Sequence, residues 1–211
     1  MSDKPVRAVL WDFGGVVTES PFVAFARHER ETGLPDGFIR ALNTRNPDSN
    51  AWAKFERSEI DLDAFCPLFE AEAMEAGHRL DGRAVVALLA GPVRPEMVGA
   101  LRRLRERYRI ACLTNNVRSA ARPPEQARAV AEAMSLFHAV IESSKVGVRK
   151  PEPRFYEIAC ETLGVAPDEA VFLDDLGVNL KTARAMSMRT IKVEGASQAL
   201  GELEAILGHP V

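Results

Sequence analysis

Four short stretches of this 211-residue chain combine side chains that can do nucleophilic, metal or phosphate chemistry. Asp12 follows Val9-Leu10-Trp11 and precedes Phe13-Gly14-Gly15. A carboxylate facing a tight glycine turn can act as a nucleophile or as a metal ligand. Gly14 and Gly15 let the backbone come close to a bound anion. Asp174 and Asp175 stand together after Val171-Phe172-Leu173. Adjacent carboxylates repel each other unless a cation or basic group compensates them. A hard divalent ion with oxygen ligands is the natural partner, and Mg²⁺ is the natural choice where the substrate carries phosphate. Lys150 precedes Pro151, which disfavours helix at the lysine and leaves it in an extended loop before a helix start. From there its ammonium can serve as a point charge among carboxylates and phosphate. Thr114 and Asn115 offer a hydroxyl and an amide that can donate to phosphoryl oxygens. Singly, each has an ordinary explanation: a turn-starting Asp, a helix-capping Asp, a solvated lysine, a polar strand end.

The elements around these residues must bring them together. Residues 7–11 are short and mostly apolar and stop at glycines, as a buried strand of a parallel sheet does. Residues 109–113, 139–141, 170–173 and 190–193 read as further strands. Residues 125–134, 153–163, 178–186 and 197–207 read as helices, and Met97, Leu101, Leu104 and Tyr108 mark one face of another. Strands alternating with helices predict an α/β fold, a parallel sheet with helices on both faces. Ligands of such sheets bind outside the carboxyl ends of the strands. Three of the predicted strands end in Asp12, Thr114 and Asp174-Asp175.

Between residues 21 and 89 the pattern changes. Phe22, Phe25 and Ala26 recur at helical spacing, as do Phe38, Ile39 and Leu42. Cys66, Phe69 and Ala73, with Phe65 beside them, make a third stripe, and Val85, Val86, Leu88 and Leu89 a fourth. Breakers separate them, including residues 33–37, residues 46–50 and Gly77. The reading is about four short helices and no strand, an insert after the first strand. The division expected is a core of residues 1–17 and 91–211 and a small all-helical unit of residues 18–90.

The totals are those of a soluble globular protein, with 46% hydrophobic and 27% charged residues. The net charge of −3 argues against broad binding to nucleic acid or a membrane surface. Cys66, Cys112 and Cys160 are odd in number and widely spaced, which argues against a disulfide framework or a zinc site and for small buried hydrophobes. His28, His78, His138 and His209 show no ligand spacing. The first residues lead directly into a strand without a signal-like apolar stretch, and no run reaches the ~20 apolar residues of a membrane helix. A cytoplasmic location is the expectation. Whether the chain is a monomer or a homodimer stays open.

In their order along the chain these stretches resemble the haloacid dehalogenase-like hydrolase superfamily. The resemblance rests on Val9-Leu10-Trp11-Asp12-Phe13-Gly14-Gly15-Val16, Ala111-Cys112-Leu113-Thr114-Asn115-Asn116, Lys150-Pro151-Glu152-Pro153 and Val171-Phe172-Leu173-Asp174-Asp175 with Asn179. The segment from Trp52 to Ile60, with Phe65, is similar to caps of the branch that includes the N-terminal phosphatase domain of soluble epoxide hydrolase. The resemblance implies a Rossmann-like core with a helical cap and a hydrolase acting on small phosphorylated metabolites. Asp12 would attack phosphorus and form an aspartyl-phosphate. Mg²⁺ would sit between Asp12, the carbonyl of Gly14 and Asp175, with Asp174 helping directly or through water. Lys150 would neutralise the cluster, and Thr114 would hydrogen-bond a phosphoryl oxygen, with Asn115 and Gly15 beside it on the substrate.

One position departs from the family pattern. Gly14 stands where the family's phosphatases usually carry a second Asp that protonates the leaving group and later activates water. Three explanations compete. A carboxylate such as Glu56, Glu59 or Glu19 substitutes; the substrate has a good leaving group; or the protein keeps binding and has lost turnover, as a module for a phosphorylated ligand or partner. A metal-free 2-haloacid dehalogenase is a further alternative. The acidic pair Asp174-Asp175 and the glycine at position 14 argue against it.

Overall fold

The computed structural model describes residues 4–115 and 123–211. Asn116 lies outside the described residues. Five strands form one wholly parallel sheet: β1 (Ala8–Trp11), β2 (Arg109–Thr114), β3 (Ala139–Glu142), β4 (Ala170–Asp174) and β5 (Arg189–Lys192). Their order is β3-β2-β1-β4-β5. β1 is therefore central, with β2 on one side and β4 on the other.

Period-two alternation along β1 explains why both faces of the sheet are covered. Val9 and Trp11 point into one apolar cluster, with Ile110, Cys112, Val171 and Leu173 of the neighbouring strands. Helices α6 (Pro95–Leu104), α7 (Pro124–Ser135) and α11 (Ala196–Leu207) cover that face with Met97, Leu101, Leu104, Ala133, Ala199 and Leu203. Ala8 and Leu10 point the other way, with Ala111, Leu113 and Phe172. There α9 (Pro153–Leu163) and α10 (Gly177–Ala185) close the layer through Phe155, Tyr156, Ala159, Leu180 and Ala183. All four residues of β1 are fully buried, as an apolar run between two helix layers must be. No helix among the described residues is long and apolar enough to cross a membrane.

Residues 21–87 are helical and have an apolar core of their own. The helices are α1 (Pro21–Thr32), α2 (Phe38–Thr44), α3 (Ala51–Glu56), α4 (Leu62–Glu75) and α5 (Gly82–Ala87). Phe25, Ile39, Trp52, Phe55, Phe65, Phe69 and Val85 are the main buried members of this third cluster. Phe65 stacks on Phe55 and Phe69 at centroid distances of 4.6 and 5.0 Å. The two links to the sheet domain run side by side. Thr18 and Val93 form an antiparallel bridge, flanked by Glu19 N–H donating to the Pro92 carbonyl and Arg94 N–H to that of Val17, both at 2.9 Å. Gly91 permits this approach: a Cβ there would lie 2.8 Å from the Glu19 carbonyl oxygen.

Three details differ from the sequence reading. The helical unit has five helices, because the six-residue α3 is too short to show periodicity. In α4 the buried stripe is Phe65, Phe69 and Ala73, and Cys66 sits one step off it, half-buried, while Cys112 and Cys160 are buried. A further short helix, α8 (Ser143–Val146), follows β3.

Helix α3 exists because Asn50 holds its start. The Asn50 side-chain oxygen accepts from Ala53 N–H at 2.7 Å, and its amide donates to the carbonyls of Asn43 and Arg45 at 2.9 and 2.8 Å. Glu72 adds an acceptor for Ala51 N–H at 2.8 Å. Asn50→Ala removes the cap and leaves two carbonyls short of a donor, so it should cost about 1–2 kcal/mol of stability. Urea unfolding followed by tryptophan fluorescence would measure this, since Trp52 lies in α3.

Candidate active site

The carboxyl ends of β2, β1 and β4 lie side by side, and the residues that follow define one pocket of charge. Trp11 is level with Cys112 and Leu173 in the sheet register, so Asp12 emerges level with Asp174. Asp12 N–H continues the ladder to the Leu173 carbonyl at 2.8 Å. Lys150 reaches in from the loop before α9 and places Nζ 2.8 Å from Asp12 Oδ1 and 2.8 Å from Asp174 Oδ2. Its side chain is 1% exposed and that of Asp174 is 0% exposed. An ammonium can be held so deep only because two carboxylates face it. It also lies 5.5 Å from the Phe172 ring centroid.

Each member of this triad is fixed by hydrogen bonds. Asp12 Oδ1 accepts from its neighbour Phe13 N–H at 2.7 Å, so both of these donors engage one oxygen and leave Oδ2 for a ligand. Asp174 accepts from Leu176 N–H at 2.7 Å and from the Asn179 amide at 3.1 and 3.0 Å on its two oxygens. Tyr156 of α9 donates to the Asn179 carbonyl at 2.9 Å and so ties the two supporting helices together. Asn115 clamps the lysine from the end of β2. Its Oδ1 accepts from Lys150 N–H at 2.8 Å and its Nδ2 donates to the Lys150 carbonyl at 2.9 Å.

Asp175 turns to the opposite side of the cluster, where Ser20 donates to its Oδ2 at 3.3 Å. Carboxylate oxygens of Asp12, Asp174 and Asp175 all lie within 4.8 Å of one another. Three carboxylates thus converge with one buried ammonium between two of them. The set consists of hard oxygen donors and has an excess of negative charge, which fits a small divalent cation such as Mg²⁺. Asp174 is the least free of the three, because both its oxygens already accept from Lys150, Leu176 or Asn179. Asp12 and Asp175 are better placed to supply direct ligands.

The two glycines of the turn play different parts. Gly15 has φ +78°, and a Cβ there would lie 2.2 Å from Asp175 Oδ2 and 2.6 Å from its Cγ. Only glycine gives the turn its left-handed step and leaves Asp175 its place. Gly14 has φ −70° and ψ 127°, which any residue adopts, and a Cβ there would meet no described atom within 4 Å. Thr114 is buried at the end of β2.

Burial dominates the electrostatics. It pushes Asp12 up to about 8; Lys150 opposes the shift, while Asp174 and Asp175 add to it. Burial and then Asp174 push Asp175 up to about 6 against Lys150 and Ser20. Lys150 is raised: burial works against its charge, but Asp12 and Asp174 outweigh it, so it stays protonated.

The structure therefore brings Asp12, Lys150, Asp174, Asp175 and the Gly14-Gly15 turn to one place, with Thr114 and Asn115 on the adjoining strand end. The Asn115 side chain, expected on the substrate, is turned to the Lys150 backbone instead. Of the three carboxylates considered as stand-ins for a second Asp, Glu59 pairs with Arg57 at 2.6 Å with its side chain 48% exposed, and Glu19 is exposed on the link. Glu56 is buried, accepts from Trp52 Nε1 at 3.1 Å, and pairs with Arg149. Burial pushes Glu56 up while Arg149 pulls it back. Arg149 and Ser20 escaped the sequence reading. Arg149 is adjacent to Lys150, yet nothing in its spacing indicates that it faces the helical unit.

Two outcomes follow for the metal-free and metal-bound protein. Gly15→Ala should cost about 1–2 kcal/mol from the left-handed conformation alone and should weaken Mg²⁺ binding by displacing Asp175. Gly14→Ala should leave Mg²⁺ affinity, measured by titration calorimetry, within about twofold of wild type. The raised carboxylates also set a pH dependence. A group whose folded pKa is raised stabilises the fold below its unfolded pKa, near 4 for Asp, and that stabilisation is lost as pH rises through about 6 for Asp175 and about 8 for Asp12. Melting in chelator should therefore move to lower temperature across that window, and the increment given by Mg²⁺ should grow with pH. Thermal scans from about pH 5 to about pH 9 check both.

Comparison with known proteins identifies a family. Residues 6–187 match the family model for haloacid dehalogenase-like hydrolases. The chain is 33% identical to mouse acyl-CoA dehydrogenase family member 10 and 32% identical to pig bifunctional epoxide hydrolase 2, over 99% and 96% of its own length. It spans 20% and 39% of the length of those relatives. It is also 33% identical to a Mycobacterium tuberculosis phosphatase, over 92% of this chain and 89% of that protein. A solved HAD family enzyme of Bacteroides thetaiotaomicron, in complex with magnesium and inorganic phosphate, shares the fold with a TM-score of 0.59 and 18% identity, over 94% of this chain and 98% of that one. With Asp12 directly after the central β1 and a family match over residues 6–187, the chain belongs to the haloacid dehalogenase-like hydrolases.

Proposed function

We propose that this hydrolase is a Mg²⁺-dependent phosphatase of small phosphorylated metabolites, with residues 1–17 and 91–211 as its core and residues 18–90 as its cap. The observation that carries the reading is the convergence of Asp12, Asp174 and Asp175 around one buried lysine. A dianionic phosphate can enter such a cluster only with a cation beside it. The similarity to the Mycobacterium tuberculosis phosphatase supports the same class of reaction.

In this reading Asp12 Oδ2 attacks phosphorus, the bond to the leaving oxygen breaks, and an aspartyl-phosphate forms. Water then attacks the same phosphorus, releases inorganic phosphate and restores the Asp12 carboxylate. Asp12, Asp175 and the Gly14 carbonyl would hold Mg²⁺, which when bound offsets the repulsion between the anionic nucleophile and the phosphate. Lys150 hydrogen-bonds Asp12 Oδ1 and so fixes the orientation of the carboxylate. Thr114 supplies a hydroxyl for a phosphoryl oxygen that gains charge in the transition state. Asp174 is the counter-ion that keeps Lys150 protonated.

Among the described residues, none of the three carboxylates considered as a replacement for the second Asp is free to protonate the leaving oxygen. Glu59 and Glu19 are engaged or exposed elsewhere, and both Glu56 oxygens accept hydrogen bonds. The reading that fits is a substrate whose leaving group departs without protonation, as aryl and acyl phosphates do. The backbone at Gly14 makes the idea testable, because its φ and ψ suit any residue and a Cβ added there meets no described atom within 4 Å.

Phosphate release should require both Mg²⁺ and Asp12, and be lost in chelator and in Asp12→Asn. Gly14→Asp should accelerate alkyl phosphates by about 10²-fold and aryl phosphates far less. No release by wild type from aryl, acyl, sugar or nucleotide phosphates would overturn the phosphatase reading and favour a module that binds a phosphorylated ligand. An equal gain on both substrate types, or none, would overturn the leaving-group argument.

A further inference from the structure

The connection between the helical unit and the lysine loop is built from few residues, and one of them occupies its centre. Glu56 ends α3, in the helical unit. Its Oε2 accepts from the Arg149 guanidinium and from Asn115 Nδ2, the latter at 3.3 Å, and its Oε1 accepts from Trp52 Nε1. Its main-chain carbonyl accepts from Ser143 Oγ at 2.6 Å, at the start of α8. Arg149 donates a second hydrogen bond to the Pro47 carbonyl, also in the helical unit. Glu56 and Arg149 side chains are each 12% exposed, so this pair is screened little by solvent.

Of the groups that Glu56 engages, one holds the Lys150 backbone and another is its neighbour in the chain. Asn115 grips the lysine backbone from both sides, and Arg149 is the preceding residue. Removing the carboxylate would leave the largely buried Arg149 charge without its carboxylate partner and would take one acceptor from the Asn115 amide. We propose that Glu56 is a positioning residue: it seats the cap on the Arg149-Lys150 loop, so that placing the cap and orienting the catalytic lysine are one event. The proposal rests on the assignment of Lys150 to the active site. Each Glu56 oxygen accepts from a protein donor, so the residue acts through Arg149 and Asn115 and not by passing a proton to the substrate.

The test has one arm that needs no turnover. Amide hydrogen exchange of residues 143–152 in substrate-free protein should be at least about tenfold faster in Glu56→Gln than in wild type, because a charge-assisted hydrogen bond has been lost. In the assay arm, Glu56→Gln should lower kcat by about tenfold for aryl and alkyl phosphates alike, with KM little changed. Arg149→Gln should do the same, and the double variant should be no worse than either single one. Unchanged exchange in Glu56→Gln would overturn the proposal. So would multiplying losses in the double variant, or a loss much greater for alkyl than for aryl phosphates, which would make Glu56 a general acid. Should Glu56→Gln fail to fold, Arg149→Lys keeps the charge, loses the planar fork, and should show the same change in exchange to a smaller degree; its absence there would equally overturn the proposal. If wild type releases no phosphate, the exchange arm still decides the role of Glu56, separately from the phosphatase reading.

Discussion

A lysine ammonium buried between two carboxylates is the interaction on which the rest of the site depends. Lys150 Nζ stands 2.8 Å from both Asp12 and Asp174, and desolvation would expel any of the three alone. Three unlike parts of the fold must then agree. β1 must deliver Asp12, β4 must deliver Asp174, and the loop before α9 must be held so that the lysine points inward. The parallel register meets the first two demands, since Trp11 and Leu173 are level and the next residue on each strand faces the same opening. The third demand falls on Asn115 at the end of β2, whose amide matches the donor and acceptor of one peptide unit. The central three strands of the sheet are thus the three that the ion triad needs.

The same excess of negative charge limits what the site can accommodate. One ammonium cannot neutralise three carboxylates, and burial raises Asp12 and Asp175 accordingly. Protons satisfy the cluster at low pH and a divalent cation can satisfy it at higher pH. Folding and any bound cation thus draw on the same carboxylate oxygens. Gly15 belongs to this constraint, as a side chain there would take the space of Asp175. Gly14, one residue earlier, does not.

Much of this was legible in the sequence, for physical reasons that differ by element. The strands were visible because burial on both faces leaves no polar residue in Ala8-Val9-Leu10-Trp11 or Ala170-Val171-Phe172-Leu173, and because each run ends in acid. The long helices were visible through their apolar period, and Pro153 and Gly164 mark the ends of α9. Helix α3 was not, because its six residues depend on the Asn50 cap and on packing against Phe65 and Phe69, which is tertiary information. The site residues were legible as types at strand ends. Their partnerships were not: the sequence offered Asn115 to the substrate, while hydrogen-bond geometry gives it to the Lys150 backbone. Arg149 shows the limit most clearly, since a half-exposed arginine and one that anchors a neighbouring unit look alike in sequence.

The helical unit has its own aromatic core and is joined to the sheet domain by two links bridged at Thr18 and Val93. Its buried apolar cluster is separate from the two that flank the sheet. What holds it over the site is largely polar. When such contacts separate, Glu56 and Arg149 regain hydration, so opening costs much less than deleting either partner from the closed form. A seat built from a charge pair and a few hydrogen bonds suits a hydrolase that must close over its substrate and then open to release the product. An apolar seat of the same area would hold more firmly, but it would offer no direct connection to the backbone of Lys150.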